Sequence, residues 1–216
     1  MGCCDATLSL LLTIIVCTNS VYALASLFLP KVFEEKDIPG LWVGLIFAMY
    51  SIAGMLISPF IGTILHKMGS ANLIATGLIF MGLSILPIGY LAKIESNTGA
   101  VAFALFLRAV QGIASAVINT TNFGMAANKY ADKTLLVMGL LEAASGVGLI
   151  IGLMGGSVVY ESLGYDAVFF AFGGLLLVMA IVSRLIFSCL EKREAEAAAE
   201  QERQALLTTE EVAGLG

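Results

Sequence analysis

The chain has 216 residues, 59% hydrophobic and only 12% charged, with a mean hydropathy of +0.95. Soluble domains average about 45–50% apolar and about 25% charged, so water is not its main solvent. The formal net charge is −5, but seven of the 16 carboxylates lie within 191–211; the near-neutral remainder excludes a basic nucleic-acid surface, and the four cysteines show neither a disulfide framework nor metal-ligand spacing.

A helix crossing the hydrocarbon core needs about 20 mainly apolar residues. Six segments qualify: 7–30, 40–65, 71–92, 100–127, 134–160 and 166–190. They predict an all-α membrane protein, with a six-helix transmembrane domain over 1–190 and an acidic tail over 191–216. Polar breaks at 30–40, 66–70, 93–99, 128–133 and 161–165 are rich in Gly, Pro, Asn and charge, as turns are. The N-terminus lacks the basic region of a cleaved signal peptide, so 7–30 is predicted to remain as the first span.

The first span carries Asn19, Tyr22 and Ser26 at spacings of three and four, one helical face. Asn19 and Tyr22 are candidate substrate contacts, with a structural role equally open. In the second span, Gly44, Ala48, Ser51, Ser58 and Gly62 form a stripe of small residues, which lets helix backbones approach closely.

The fourth span places Arg108 about eight residues, or about 12 Å, below one membrane face. A charge at that depth usually faces a cavity or a partner. Gln111, Ser115, Asn119 and Asn122 follow on the same face. Together they read as the lining of a polar path; hydrogen bonding between helices is the alternative. In the fifth span Glu142 is the one carboxylate deep in a predicted span. It suits proton or cation coupling, or a static pair with Arg108, whose estimated depth differs by about 6 Å. Gly148, Gly152 and Gly156 add a packing stripe. In the tail, Glu202, Leu206 and Leu207 fit an acidic dileucine sorting pattern; two leucines on an amphipathic helix are the alternative, and the slightly stronger one. The pattern points to a vesicular, lysosomal or vacuolar membrane.

Lys67, Lys129, Lys133, Arg184, Lys192, Arg193 and Arg203 fall on one side of these spans, and Lys31, Lys36 and Lys93 on the other. That bias predicts both termini to be cytoplasmic. Trp42, Tyr90, Tyr130, Tyr160 and Tyr165 sit at span ends like an aromatic belt; Tyr22 and Tyr50 lie deeper. The ending of the second span, with Gly54, Gly62 and Gly69, recurs in the fifth as Gly148, Gly156 and Gly164. Two spans separate the copies, so the equivalent helices are antiparallel, the inverted repeat of secondary transporters.

These residues resemble the N-terminal six-helix half of a major facilitator superfamily transporter. Gly62, His66, Lys67 and Gly69 fall on the family's gate motif Gly-x-x-x-Asp-Arg-x-Gly, with His66 in place of the Asp that helps latch the cytoplasmic gate. Arg108, Gln111 and Gly112 match the fourth-helix Arg-x-x-Gln-Gly motif, associated with proton coupling. Gly148, Gly152, Gly155 and Gly156 resemble the fifth-helix antiporter motif, with Leu153 in place of its Pro. The run from Leu141 through Glu142 to Gly152 and on to Tyr165 is similar to the vesicular amine and polyamine transporter branch.

The resemblance implies transport of a small organic solute, a cationic amine or polyamine, by proton-coupled antiport. Arg108 and Glu142 would be the coupling pair. Family members have twelve helices, so six predict a need for a second unit, as a parallel homodimer or with another six-helix half. The alternative is a truncated, non-transporting relative that binds or regulates a full-length carrier. The expected partners are the bilayer, the solute and protons. No catalytic residue, metal or cofactor is expected, and the chain does not read as an enzyme.

Overall fold

The computed structural model describes the backbone over residues 2–213 and the side chains over residues 6–193 and residue 196. The described residues form helices α1 (Gly2–Glu35), α2 (Gly40–Met68), α3 (Ser70–Ile85), α4 (Asn97–Lys129), α5 (Thr134–Leu163) and α6 (Tyr165–Ala213). A 3-10 segment, Leu86–Lys93, extends α3, and a short one, Ala131–Lys133, precedes α5. Six stretches are long and apolar enough to cross a membrane: Ala6–Glu35, Gly40–Met68, Ser70–Lys93, Asn97–Lys129, Ala131–Leu163 and Tyr165–Arg193.

Several predicted breaks are shorter than expected. The chain stays helical through Pro30 as far as Glu35. A membrane helix tolerates a proline because neighbouring helices and local adjustments re-satisfy the freed backbone groups. The turn narrows to residues 36–39, where the Asp37 and Ile38 N–H groups donate to the Glu34 and Phe33 carbonyls. No loops form at 66–70 and 161–165. One glycine makes each joint: Gly69 (φ 77°) between α2 and α3, and Gly164 (φ 86°) between α5 and α6. Both lie in the left-handed region that L side chains rarely adopt. Each N–H donates back four residues, Gly69 to Leu65 O and Gly164 to Tyr160 O, both at 2.9 Å. The doubled ending is thus one device built twice, and His66 and Lys67 belong to the last turn of α2.

The packing repeats the same two-fold relation. The broadest contacts pair α2 with α4, α1 with α5, and α3 with α6. Exchanging α1–α3 with α4–α6 turns the first pair into the second and the third into itself. The α3–α4 contact is broader than its counterpart between α1 and α6. Leu11, Ile14, Ile15, Leu24 and Leu29 of α1 and Ile74 and Leu78 of α3 anchor the core. By contrast, 11% of an 18-residue apolar stretch of α2 is buried within the chain, against 56% of the corresponding stretch of α1. The backbone of α6 runs on as a single helix to Ala213, but the side chains of Glu202, Leu206 and Leu207 lie outside the described residues.

Candidate functional site

Three helices converge on one polar cleft. Thr18, Asn19 and Tyr22 of α1, Tyr50 of α2, and Ser115 and Asn119 of α4 line a space of about 200 Å³. Tyr50 stands about 15 Å along α2 from Gly40 at helical rise, well inside the membrane. Its ring meets that of Tyr22 at 5.0 Å between centroids, tilted by 42°. Asn119 donates from Nδ2 to Ser115 Oγ at 3.2 Å, and Asn19 from Nδ2 to Ile15 O at 2.9 Å. Small and polar side chains fit where a helix must offer hydrogen bonds without an ionised group.

Arg108 lies behind Tyr50, with 1% of its surface exposed. Its guanidinium carbon sits 4.8 Å from the Phe47 ring centroid and 5.9 Å from that of Tyr50. Nη1 donates to Gln111 Oε1 at 3.3 Å, while Nε and Nη2 have no partner. Gln111 in turn donates from Nε2 to Ser84 O of α3 at 3.3 Å. A buried charge held by one long neutral hydrogen bond and two ring faces is poorly compensated.

The predicted path residues divide. Asn19, Tyr22, Ser115 and Asn119 line the cleft. Gln111 and Asn122 do not: Gln111 is tied to α3, and Asn122 Nδ2 donates to Leu11 O of α1 at 3.1 Å. For those two, hydrogen bonding between helices is the observed role. Helical spacing places five residues on a common stripe, but a stripe is wide enough to face two neighbours. Thr18 and Tyr50 were not predicted. Tyr50 carried a signal, since it is a tyrosine far from either span end. Thr18 carried none, because its hydroxyl satisfies itself on Ile14 O at 2.9 Å.

The static pair of Arg108 with Glu142 is not formed. Arg108 is enclosed by aromatic rings, and Glu142 is exposed on α5. The ion pair among the described residues is Lys93 with Asp166, tying α6 to the end of the α3 extension. Depth along a helix is readable from sequence, whereas the direction a side chain takes around the axis is set by packing. Among the described residues no three His, Cys, Asp or Glu side chains gather in a way that holds a metal ion.

The glycine stripe of α5 is used within the chain. A Cβ at Gly148 would fall 2.6 Å from Val16 O, one at Gly152 2.2 Å from Ser20 O, and one at Gly156 2.0 Å from Leu24 Cδ2. Ser20 Oγ donates to Gly148 O at 2.8 Å across the same seam. These glycines seat α5 on α1, which is the neighbour their packing stripe meets. A Cβ at Gly155 would meet α6 instead, 3.5 Å from Phe172 Cζ. The α2 stripe behaves differently: Gly44, Ser51, Ser58 and Gly62 are exposed, and nothing stands within 4 Å of a Cβ at Gly44 or Gly62. At the foot of α2, His66 and Lys67 are exposed.

The cleft offers hydroxyl and amide hydrogen bonds and two tyrosine faces, with no carboxylate among its lining residues. A cationic group would be held there by ring faces rather than by an ion pair.

The family model of the Major Facilitator Superfamily matches residues 10–214. The human MFS-type transporter SLC18B1 is 26% identical over 81% of this chain and 38% of its own length. The bovine synaptic vesicular amine transporter is 32% identical over 67% of the chain and 28% of its own. The rat chromaffin granule amine transporter is 28% identical over 67% and 26% respectively. The chain therefore spans well under half the length of the relatives it matches.

Proposed function

The chain belongs to the major facilitator superfamily, and from that premise we propose that it forms the six-helix half of a transporter for a small organic cation of the amine or polyamine class. The half works with a second six-helix unit, a copy of itself or another half, by proton-coupled alternating access. The observation that carries this reading is the cleft at mid-membrane depth, where Tyr22, Tyr50, Asn19, Thr18, Ser115 and Asn119 converge. Its aromatic and amide walls suit an ammonium-bearing solute, the class named in two of the relatives' descriptions.

Coupling is assigned to Arg108 and Glu142 acting apart. Arg108 is buried with two nitrogens whose N–H groups are free to donate to a carboxylate or water. Glu142 is exposed on the six-helix unit, reachable by a proton, a solute or a group of the second unit. The protein is a multi-pass integral membrane protein, and its site of action on this reading is a vesicular, lysosomal or vacuolar membrane, with both termini on the cytoplasmic side.

The test is uptake into liposomes holding the purified chain, with an acidic interior and labelled monoamine or polyamine outside. Uptake that collapses with the pH gradient, and is lost in Tyr50→Ala and Glu142→Gln proteins that still fold, is the expected result. Well-folded protein that accumulates neither class of amine overturns the self-paired form of the assignment.

A further inference from the structure

A second cavity, distinct from the polar cleft, opens on the outer surface where α2, α3 and α4 meet. It measures about 350 Å³ and has apolar walls, among them Ile64 and Met68 of α2, Thr76 and Phe80 of α3, and Val110 and Ile113 of α4. Phe80 is 55% exposed and Met68 41%. From Ser70, where α3 begins, to Phe80 is about 15 Å at helical rise. That is the hydrocarbon depth of one leaflet, half of the roughly 30 Å core. The groove is deep enough for an acyl chain, and it starts at the end of α2 that carries charge.

Lys67 follows Ile64 by three residues, so it shares the groove's side of α2. It is exposed, and no hydrogen bond or ion pair engages it among the described residues. His66 adjoins it, exposed as well. The helices that wall the groove hold no internal counter-charge: between Asp37 and Asp132 the one carboxylate is Glu95, beyond the far end of α3. Where the family motif has an acid, this chain has His66, so the foot of α2 is left with an unneutralised cation above an apolar slot.

We propose that this groove is a binding site for an anionic phospholipid, with one acyl chain between α2, α3 and α4 and the phosphate-bearing headgroup on Lys67. The pairing of a point cation with a phosphate, at the mouth of an apolar slot one leaflet deep, selects lipid charge as well as lipid tails. The groove shares no lining residue with the solute cleft.

The proposal is tested by native mass spectrometry of the chain purified in mild detergent and supplied with equal phosphatidylserine and phosphatidylcholine. One phosphatidylserine is expected to be retained about fivefold more than phosphatidylcholine, the equivalent of roughly 1 kcal/mol for one basic residue at an anionic surface. Lys67→Arg keeps that preference and Lys67→Gln removes it, while Thr76→Phe, which fills the groove, lowers retention of both lipids. Equal retention of the two lipids by the unmodified chain, or a serine preference that survives Lys67→Gln, overturns the proposal. The lysine variants sit on the surface and carry the test alone if Thr76→Phe fails to fold.

Discussion

Arg108 concentrates the conflict between stability and use within single side chains. Its charge is buried, Nε and Nη2 are unpartnered, and its one hydrogen bond, to Gln111, is 3.3 Å long. Replacing a poorly paired buried ion by an apolar residue of similar volume is often neutral or stabilising. Arg108→Met is therefore expected to unfold in mild detergent no earlier than the unmodified chain. Gln111→Ala removes the link to Ser84 O and leaves the guanidinium without any acceptor; it is expected to cost about 1–3 kcal/mol. Thermal unfolding of the two variants side by side checks the order, and an Arg108→Met loss larger than that of Gln111→Ala would make the arginine part of the scaffold. That Arg108 mattered was legible in the sequence, because a charge at such depth is rare. Its surroundings were not. Phe47 and Tyr50 come from another helix, and no spacing within α4 announces them.

At the scale of helices, glycine marks where backbones meet, and the two symmetry-related seams place it on opposite members of the pair. In the α2–α4 seam the close point is Gly112 of α4, where a Cβ would fall 2.0 Å from Tyr50 O. In the α1–α5 seam it is Gly152 of α5, 2.2 Å from Ser20 O. Neither obstacle is a flexible side-chain end; both are carbonyl oxygens, so an added methyl group forces the helices apart. Gly112→Ala and Gly152→Ala are each expected to destabilise by about 1–3 kcal/mol, the usual range for overpacking. Gly44→Ala and Gly62→Ala meet open space and are expected to be neutral or to gain up to about 1 kcal/mol from helix propensity. Melting temperatures of the four variants in one detergent check the contrast. The spans and the doubled ending were legible because hydropathy sums over some twenty residues and a positive-φ joint needs glycine. Which helix each stripe meets was not, since a small residue lowers the barrier to approach without naming the neighbour. The sequence pattern of α2 and α5 is alike, yet the glycines of α5 are covered by α1, and much of the α2 stripe is bare.

For the whole molecule, the two ends of the bundle differ in how they are fastened, and this bears on how it sits in a membrane. At one end Lys36 donates from Nζ to Ile94 O at 2.8 Å, Asn97 donates to Lys36 O at 3.2 Å, and Lys93 pairs with Asp166. Every basic residue of that end except Lys31 is thereby engaged by the chain itself, and Lys31 lies 5.0 Å over the Tyr160 ring. At the other end Lys129 donates to Thr7 Oγ1 at 2.8 Å, but Lys67 and Lys133 are exposed and Arg184 holds a hydroxyl, Ser188 Oγ, at 2.6 Å. The end with more free cations is the one that anionic lipid and the positive-inside rule draw to the cytoplasm. A cysteine at Glu95 or Asp132 reads the outcome, since both positions are exposed and lie at opposite ends. With the native cysteines replaced, in sealed vesicles whose non-cytoplasmic face is outward, Glu95→Cys is expected to react with an impermeant maleimide and Asp132→Cys only after the membrane is opened. The reverse pattern would invert the orientation, and it would place Lys67 in the leaflet with less anionic lipid, where a phosphate-reading groove has little to select.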